Sequence, residues 1–170
     1  PLLRLGTNRY SRRLREELGM SPFRAEAAKQ GRTARIKLTS VDRVTPPAEV
    51  AARLRVSDQE ASVIRRENIF YADDVPVQHV TTYLPWEFVE GTVLTRLTER
   101  TGHPGGIHGV LEDRGHTMAR YTEQISARMP RPLEARNLET PPGVPVIEVL
   151  HVSYDQDDVP FEVTYFVMRA

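Results

Sequence analysis

Two segments of the chain each contain a pair of strand-like runs joined by a short acidic turn, and this feature restricts the possible folds most. The runs are rich in β-branched and aromatic residues, and they cover residues 62–72, 75–84, 144–154 and 159–168. The first pair is joined at Asp73 and Asp74, and the second pair at residues 155–158. Strand-forming runs separated by such turn-forming residues are typical of β-hairpins. The sequence therefore predicts two antiparallel hairpins.

Other elements are predicted between and around the hairpins. Single long strands are expected over residues 33–45, where apolar residues alternate with polar ones, and over residues 116–129. Short helices are predicted over residues 22–30, 48–55, 86–102, 107–114 and 133–138. No strand–helix–strand alternation carries a glycine-rich phosphate turn, which argues against a doubly wound nucleotide-binding sheet. The predicted fold is α+β, with one mainly antiparallel sheet flanked by short helices.

Composition narrows the class of protein further. The chain has 170 residues, about one domain, and its 23 basic residues balance 23 acidic ones. Net charge therefore gives no reason to expect a nucleic-acid or membrane partner. The absence of cysteine excludes disulfides, iron–sulfur clusters and thiol catalysis, and it is compatible with the cytoplasm. No apolar run reaches the roughly 20 residues that a membrane helix needs.

Catalytic and metal-binding patterns give no positive signal. The five histidines lack the spacing of metal ligands; they are His79, His103, His108, His116 and His151. No Gly-x-Ser-x-Gly pattern is present, and the paired carboxylates lie in turns or in the N-terminal stretch. We therefore expect no enzyme activity, no metal and no cofactor.

Polar residues at alternating positions interrupt strands that otherwise look like core. Such residues include Asn68, Gln78, Glu123 and Glu162. On a sheet with one solvated face, this alternation marks the face in contact with water. On a face covered by helices, the same residues would line a pocket with a few converging polar groups. The alternation by itself leaves both interpretations open.

Seven runs, taken in order, carry a family resemblance over about residues 21–170. They are SPF (21–23), YADDVPVQ (71–78), YLP (83–85), IHGVLEDRGH (107–116), EQISARMP (123–130), PGVPVIEV (142–149) and DQDDVPFEV (155–163). Together they resemble the UTRA effector-binding domain of the HutC branch of GntR-type transcription regulators. No single run is specific, but the ordered series is.

The resemblance implies a fold similar to chorismate lyase and a homodimer that binds a small-molecule effector. It implies a cytoplasmic regulator, in particular a repressor, whose DNA-binding winged helix-turn-helix domain precedes this region. Residues 1–20, which are rich in arginine, are then expected to be the linker to that domain, and residues 21–170 the UTRA domain. DNA would be contacted only through the preceding domain. Two alternatives are an enzyme of the chorismate lyase type and a protein-interaction domain without a ligand.

Departures from the family pattern concern the effector. Members that sense sugar phosphates carry an Arg-x-Arg pair where this chain has Asn68 and Phe70. In the following strand, Val80 stands at a position that is usually acidic in the family. At the start of the helix predicted over residues 107–114, His108 replaces a tyrosine that is common in the family. The resemblance therefore implies an effector that is weakly charged and partly apolar.

Twelve residues are predicted to line the effector site. Arg66 is included because residues two apart on a strand share a face, and it would supply a positive charge beside Asn68. The predicted residues are Phe23, Arg24, Arg66, Asn68, Phe70, Gln78, Thr82, His108, Glu123, Glu162, Thr164 and Phe166.

Overall fold

Six strands form a single antiparallel sheet in the computed structural model, which describes residues 22–98, 103 and 105–170. The strands are β1 (Ala34–Val44), β2 (Val63–Ala72), β3 (Val75–Pro85), β4 (Met118–Arg128), β5 (Val146–Asp155) and β6 (Pro160–Arg169). Their spatial order is β1-β2-β3-β6-β5-β4, and every neighbouring pair is antiparallel. The predicted α+β class and both predicted hairpins are confirmed.

Short helices occupy the connections. They are α1 (Pro22–Lys29), α2 (Ala48–Leu54), the single turn α3 (Trp86–Val89), α4 (Gly106–Asp113) and α5 (Pro132–Asn137), with a 3-10 turn at Val93–Thr95. Across the described ranges, no helix is long and apolar enough to cross a membrane.

The turn between β2 and β3 explains why the first hairpin forms where the sequence predicts it. Asp73 and Asp74 both have positive φ, 51° and 62°, a conformation that aspartate tolerates better than most residues. The Asp73 carboxylate accepts a hydrogen bond from the Thr33 backbone at 2.8 Å and one from Arg32 Nε at 2.9 Å. The turn is therefore tied to the residues that lead into β1.

The two faces of the sheet carry separate apolar clusters. On the face we call the back face, Val50 and Leu54 of α2 pack against Val63, Tyr83 and Val163. The opposite face, the front face, lies under α3, α4 and the 3-10 turn. There the cluster consists of Ile64, Leu84, Val89, Leu94, Leu111 and Phe161. This cluster covers only one end of the front face.

The helix predicted over residues 86–102 is wrong in its extent. Helix α3 ends at Val89, and Gly91 then adopts a φ of 76°, which a helix cannot accommodate. The Thr92 side chain next accepts a hydrogen bond from the Leu94 backbone, which starts the 3-10 turn. Residues 99–102 lie outside the described residues, as does the predicted linker over residues 1–20.

Candidate functional site

A row of polar side chains runs across the front face from β2 to β4. Arg66 lies opposite Thr82, Thr82 opposite Thr164, Thr164 opposite His151, and His151 opposite Glu123. Directly paired residues of antiparallel strands point to the same face, so the five side chains share the front face. All are buried except Glu123, which lies on the edge strand. The row places charged and hydroxyl groups on the front face beside its apolar clusters.

Glu162, one row away, is the centre of a hydrogen-bond network. Its carboxylate lies 2.6 Å from His108 Nε2, 2.8 Å from Ser153 Oγ and 2.7 Å from Thr164 Oγ1. Burial alone would raise the pKa of Glu162, but the neighbouring charges of His108 and His151 and these hydrogen bonds outweigh it. The pKa of Glu162 therefore lies well below its usual range. The ionised carboxylate joins α4, β5 and β6 at one point.

The network continues from Ser153 to the sheet edge. His151 Nε2 lies 2.8 Å from Ser153 Oγ, and its Nδ1 lies 3.2 Å from Glu123 Oε1. Ser153 Oγ in turn donates to Glu162, so the contacts run without a break from α4 to the edge strand β4. The fully buried His151 ring is the link between Ser153 and Glu123.

Beside this network, aromatic side chains form an apolar wall. The rings of Phe23 and Phe70 pack with centroids 4.8 Å apart, which holds α1 against β2. Phe70 and Phe166 belong to one cluster with Val80 and Val149 on the front face. A ligand here would meet polar groups on one side and ring faces and edges on the other.

Two polar side chains of the front face are buried with an unpaired atom. Arg66 Nε and Gln78 Oε1 have no hydrogen-bond partner among the described residues, although each side chain is nearly inaccessible. Arg66 donates to the Leu94 carbonyl from its Nη1 atom. Burial lowers the pKa of Arg66 to about 10, so the guanidinium stays charged at neutral pH. An unpaired buried polar atom costs about 1–3 kcal/mol, so these two positions are expected to serve a purpose other than stability.

The structure brings all but one of the predicted site residues to the front face or against it. Arg24 is the exception, because its exposed side chain points to the Ala34 carbonyl, 3.4 Å away. Sequence reasoning missed His151 and Ser153 as members of this group. The register of the second hairpin, which pairs Ser153 with Glu162, is the signal that could have placed them. No set of three His, Asp or Glu residues in the described part of the chain is arranged to hold a metal ion.

Comparisons with known proteins agree with this arrangement. The profile of the UTRA domain family matches residues 29–170. A protein described as the uncharacterized HTH-type transcriptional regulator SCO4628 of Streptomyces coelicolor is 33% identical over 151 residues, 88% of this chain and 56% of that protein. The HTH-type transcriptional repressor PhnF of Mycolicibacterium smegmatis is 31% identical over 150 residues, 88% of this chain and 59% of that protein. The chain thus spans less than two thirds of these curated relatives.

The fold has solved counterparts as well. The crystal structure of the effector domain of PhnF from Mycobacterium smegmatis matches with a TM-score of 0.74 at 26% identity, and the match covers 87% of this chain and 88% of that chain. Because the family profile spans most of the 170 residues and the architecture agrees, the chain belongs to the UTRA domain family and has the fold of GntR-family effector domains.

Proposed function

We propose that the chain is the effector-binding and dimerising part of a cytoplasmic HutC-type transcription repressor. Its relatives are described as HTH-type regulators, and one of them as a repressor, which supports regulation over catalysis. DNA would be contacted by a helix-turn-helix domain elsewhere in the full-length protein. The chorismate lyase-like alternative is tested by incubating the chain with chorismate, from which we expect no 4-hydroxybenzoate.

The observation that carries the proposal is the pair of unpaired buried atoms, Arg66 Nε and Gln78 Oε1. Proteins retain such costly groups where function needs them, since a ligand can supply the missing partners. The front face also has the composition of a small-molecule site, mostly apolar with few polar groups. The effector would accept a hydrogen bond at Arg66 and donate one to Gln78.

The charges of the proposed site favour an effector with little charge of its own. The Glu162 carboxylate has its three neighbouring donors and is balanced by His108 and His151, while Arg66 can act on a ligand through its unpaired Nε. The ring wall of Phe23 and Phe70 would contact apolar ligand surface. An effector with at most one negative charge and an apolar or aromatic body fits both features.

Regulation would follow from the contact between α4 and the sheet. His108 on α4 is linked to Glu162 on β6, so an effector that competes for His108 would shift the position of α4. An effector that binds one arrangement more tightly than the other shifts the population between them. That shift would change the spacing of the two DNA-binding domains in the dimer.

Replacing Gln78 with methionine tests the site directly. We expect the free chain to become more stable, by about 1 kcal/mol, because an unpaired buried acceptor is removed at nearly constant volume. We expect effectors found by thermal-shift screening of small aromatic acids and lactones to bind about 10-fold more weakly. Urea unfolding measures the first effect, and calorimetry measures the second.

The matched control is Gln59→Met, at an exposed position of the loop before β2, which should change neither quantity. If Gln78→Met instead destabilises the chain and leaves effector affinity unchanged, Gln78 is a structural residue. In that case the proposed site is wrong at this position.

The isolated chain is expected to bind DNA only non-specifically. Its formal net charge is +0, and its predicted motifs contain no recognition helix. Fluorescence anisotropy with labelled duplexes of different sequence should show weak binding that is lost as salt rises. Nanomolar, sequence-dependent binding near physiological salt would contradict the assignment of DNA binding to another domain.

A further inference from the structure

The sheet ends in two edge strands, β1 and β4, and the two differ in how well they could accept another strand. The pairing of β1 with β2 is interrupted by a register shift between Leu38 and Ser40. Two charged residues of β1, Arg35 and Lys37, are exposed. Bulges and charges of this kind protect an edge from pairing with a second strand. Strand β1 is therefore a poor pairing edge.

Strand β4 has the opposite character. It pairs with β5 in unbroken register from Arg120 to Arg128, so nine residues form a regular edge. Every residue from 119 to 127 is exposed, and no strand within the described ranges pairs with its outer side. A long regular edge of this kind is prone to uncontrolled association unless another segment covers it.

Large apolar side chains line the front-face side of this edge. Tyr121, Ile125 and Met129 are 43%, 68% and 57% exposed, and they recur every four residues. Tyr121 and Ile125 point to the front face, since they lie opposite Ser153 and Val149. An exposed apolar stripe beside unpaired backbone groups is the usual form of a strand-pairing interface.

We propose that β4 pairs antiparallel with β4 of a second copy of this chain, about a two-fold axis through Ile125. This register places Ile125 opposite its own copy and Tyr121 opposite Met129 of the partner. Gln124 then lies opposite Ser126, and Glu123 opposite Ala127, so no like charges face each other. Aromatic and β-branched pairs across strands stabilise a sheet, whereas facing like charges destabilise it.

Other symmetric registers are less favourable. Centring the axis on Glu123 brings two carboxylates face to face, and centring it on Gln124 brings Arg120 opposite Arg128. A centre at Ser126 shortens the overlap and places Glu123 against Met129. With Ile125 at the centre, Arg128 faces Thr122, and its charge is already balanced on the back face by Glu134 and Glu148 at 2.7 Å and 2.5 Å.

The proposed β4 interface lies next to the proposed effector site. Its role in regulation therefore rests on the proposed function. The hydrogen-bond network from His108 through Glu162 and Ser153 to His151 ends at Glu123, on β4 itself. The Tyr121 ring also stacks on His151, with centroids 5.1 Å apart. A twelve-stranded sheet across two copies would therefore contain both effector sites and the connection between them.

Single-cysteine crosslinking tests the register, since the chain has no cysteine of its own. Ile125→Cys should crosslink to itself in high yield with mild oxidant or a short bismaleimide, because paired Cβ atoms lie about 4.5–5.5 Å apart. Lys37→Cys, at an exposed position on the β1 edge, should stay uncrosslinked. Failure of Ile125→Cys to crosslink in a chain that sediments as a dimer would overturn the proposed register.

Ile125→Lys tests the surface, and circular dichroism checks that the exposed substitution leaves the fold intact. The wild type should sediment at twice the 19.3 kDa chain mass, and Ile125→Lys as a single chain. The dimer affinity of Ile125→Lys should be at least 100-fold weaker than that of the wild type. If Ile125→Lys still forms a dimer, β4 is not the dimer interface, although the chain does dimerise. A wild type that sediments as a single chain overturns both, and thermal-shift screening still tests effector binding separately.

Discussion

Replacing Glu162 with alanine is expected to destabilise the chain by about 3–5 kcal/mol, the usual cost of removing one partner of a buried charge pair. Glu162 is 5% exposed, and the loss of its carboxylate leaves His108, Ser153 and Thr164 without their shared acceptor. The buried His151 would also lose a neighbouring negative charge. Urea unfolding followed by circular dichroism measures the change in the free energy of unfolding. Glu87→Ala, at an exposed position of α3, is the control and should change it by less than about 0.5 kcal/mol.

The same carboxylate makes an acid-dependent contribution to stability. The folded-state pKa of Glu162 lies below its unfolded value of about 4.3, so the unfolded chain binds the proton first as pH falls. Its contribution is complete above that value and decreases as the pH falls below it. Wild-type stability should therefore fall more steeply below about pH 4.3 than that of Glu162→Ala. Parallel stability curves for the two proteins would mean that Glu162 is not held ionised by the network.

The sheet could be predicted from the sequence because its signals are local. Asp73 and Asp74 specify a turn by their own backbone preferences, and the strands on either side alternate visibly in polarity. Residues two apart in a strand share a face, but Gln78 reaches the face of Asn68 through the register shift at Phe70 and Tyr71, and Glu162 reaches it through the pairing of β3 with β6. Strand alternation therefore groups the predicted site residues only within each strand.

The parts that could not be predicted depend on contacts distant in sequence. The end of α3 at Val89 reflects a backbone turn at Gly91 that periodicity does not report. Arg24 reaches the Ala34 carbonyl at the start of β1, a contact between two elements that sequence periodicity does not report. His151 gains its role from partners on two other strands, and its own sequence context indicates only an ordinary histidine.

The unmodified chain is expected not to bind sugar phosphates, and Phe70→Arg is expected to create that affinity. A phosphate dianion needs charge-assisted donors, each worth about 1.5–3 kcal/mol, and the positions that carry arginine in phosphate-sensing members hold Asn68 and Phe70 here. Phe70 packs against Phe23 and offers no hydrogen bond. An arginine stem could keep part of that packing while its guanidinium reaches the phosphate. Calorimetry with glucosamine 6-phosphate should therefore show a gain of about 10²-fold for the double variant Asn68→Arg/Phe70→Arg and a smaller gain for Phe70→Arg.

Phe70→Leu is the control for this gain, because it changes the packing against Phe23 without adding charge, and it should leave phosphate binding undetectable. The aromatic acids and lactones identified by screening should lose affinity in both Phe70 variants, since each removes the ring that would cover their apolar surface. Tight binding of glucosamine 6-phosphate by the unmodified chain would show that Arg66 alone supplies enough positive charge for a phosphate. The effector class would then have to be reassigned from weakly charged and apolar to anionic, with Arg66 as the residue that recognises it.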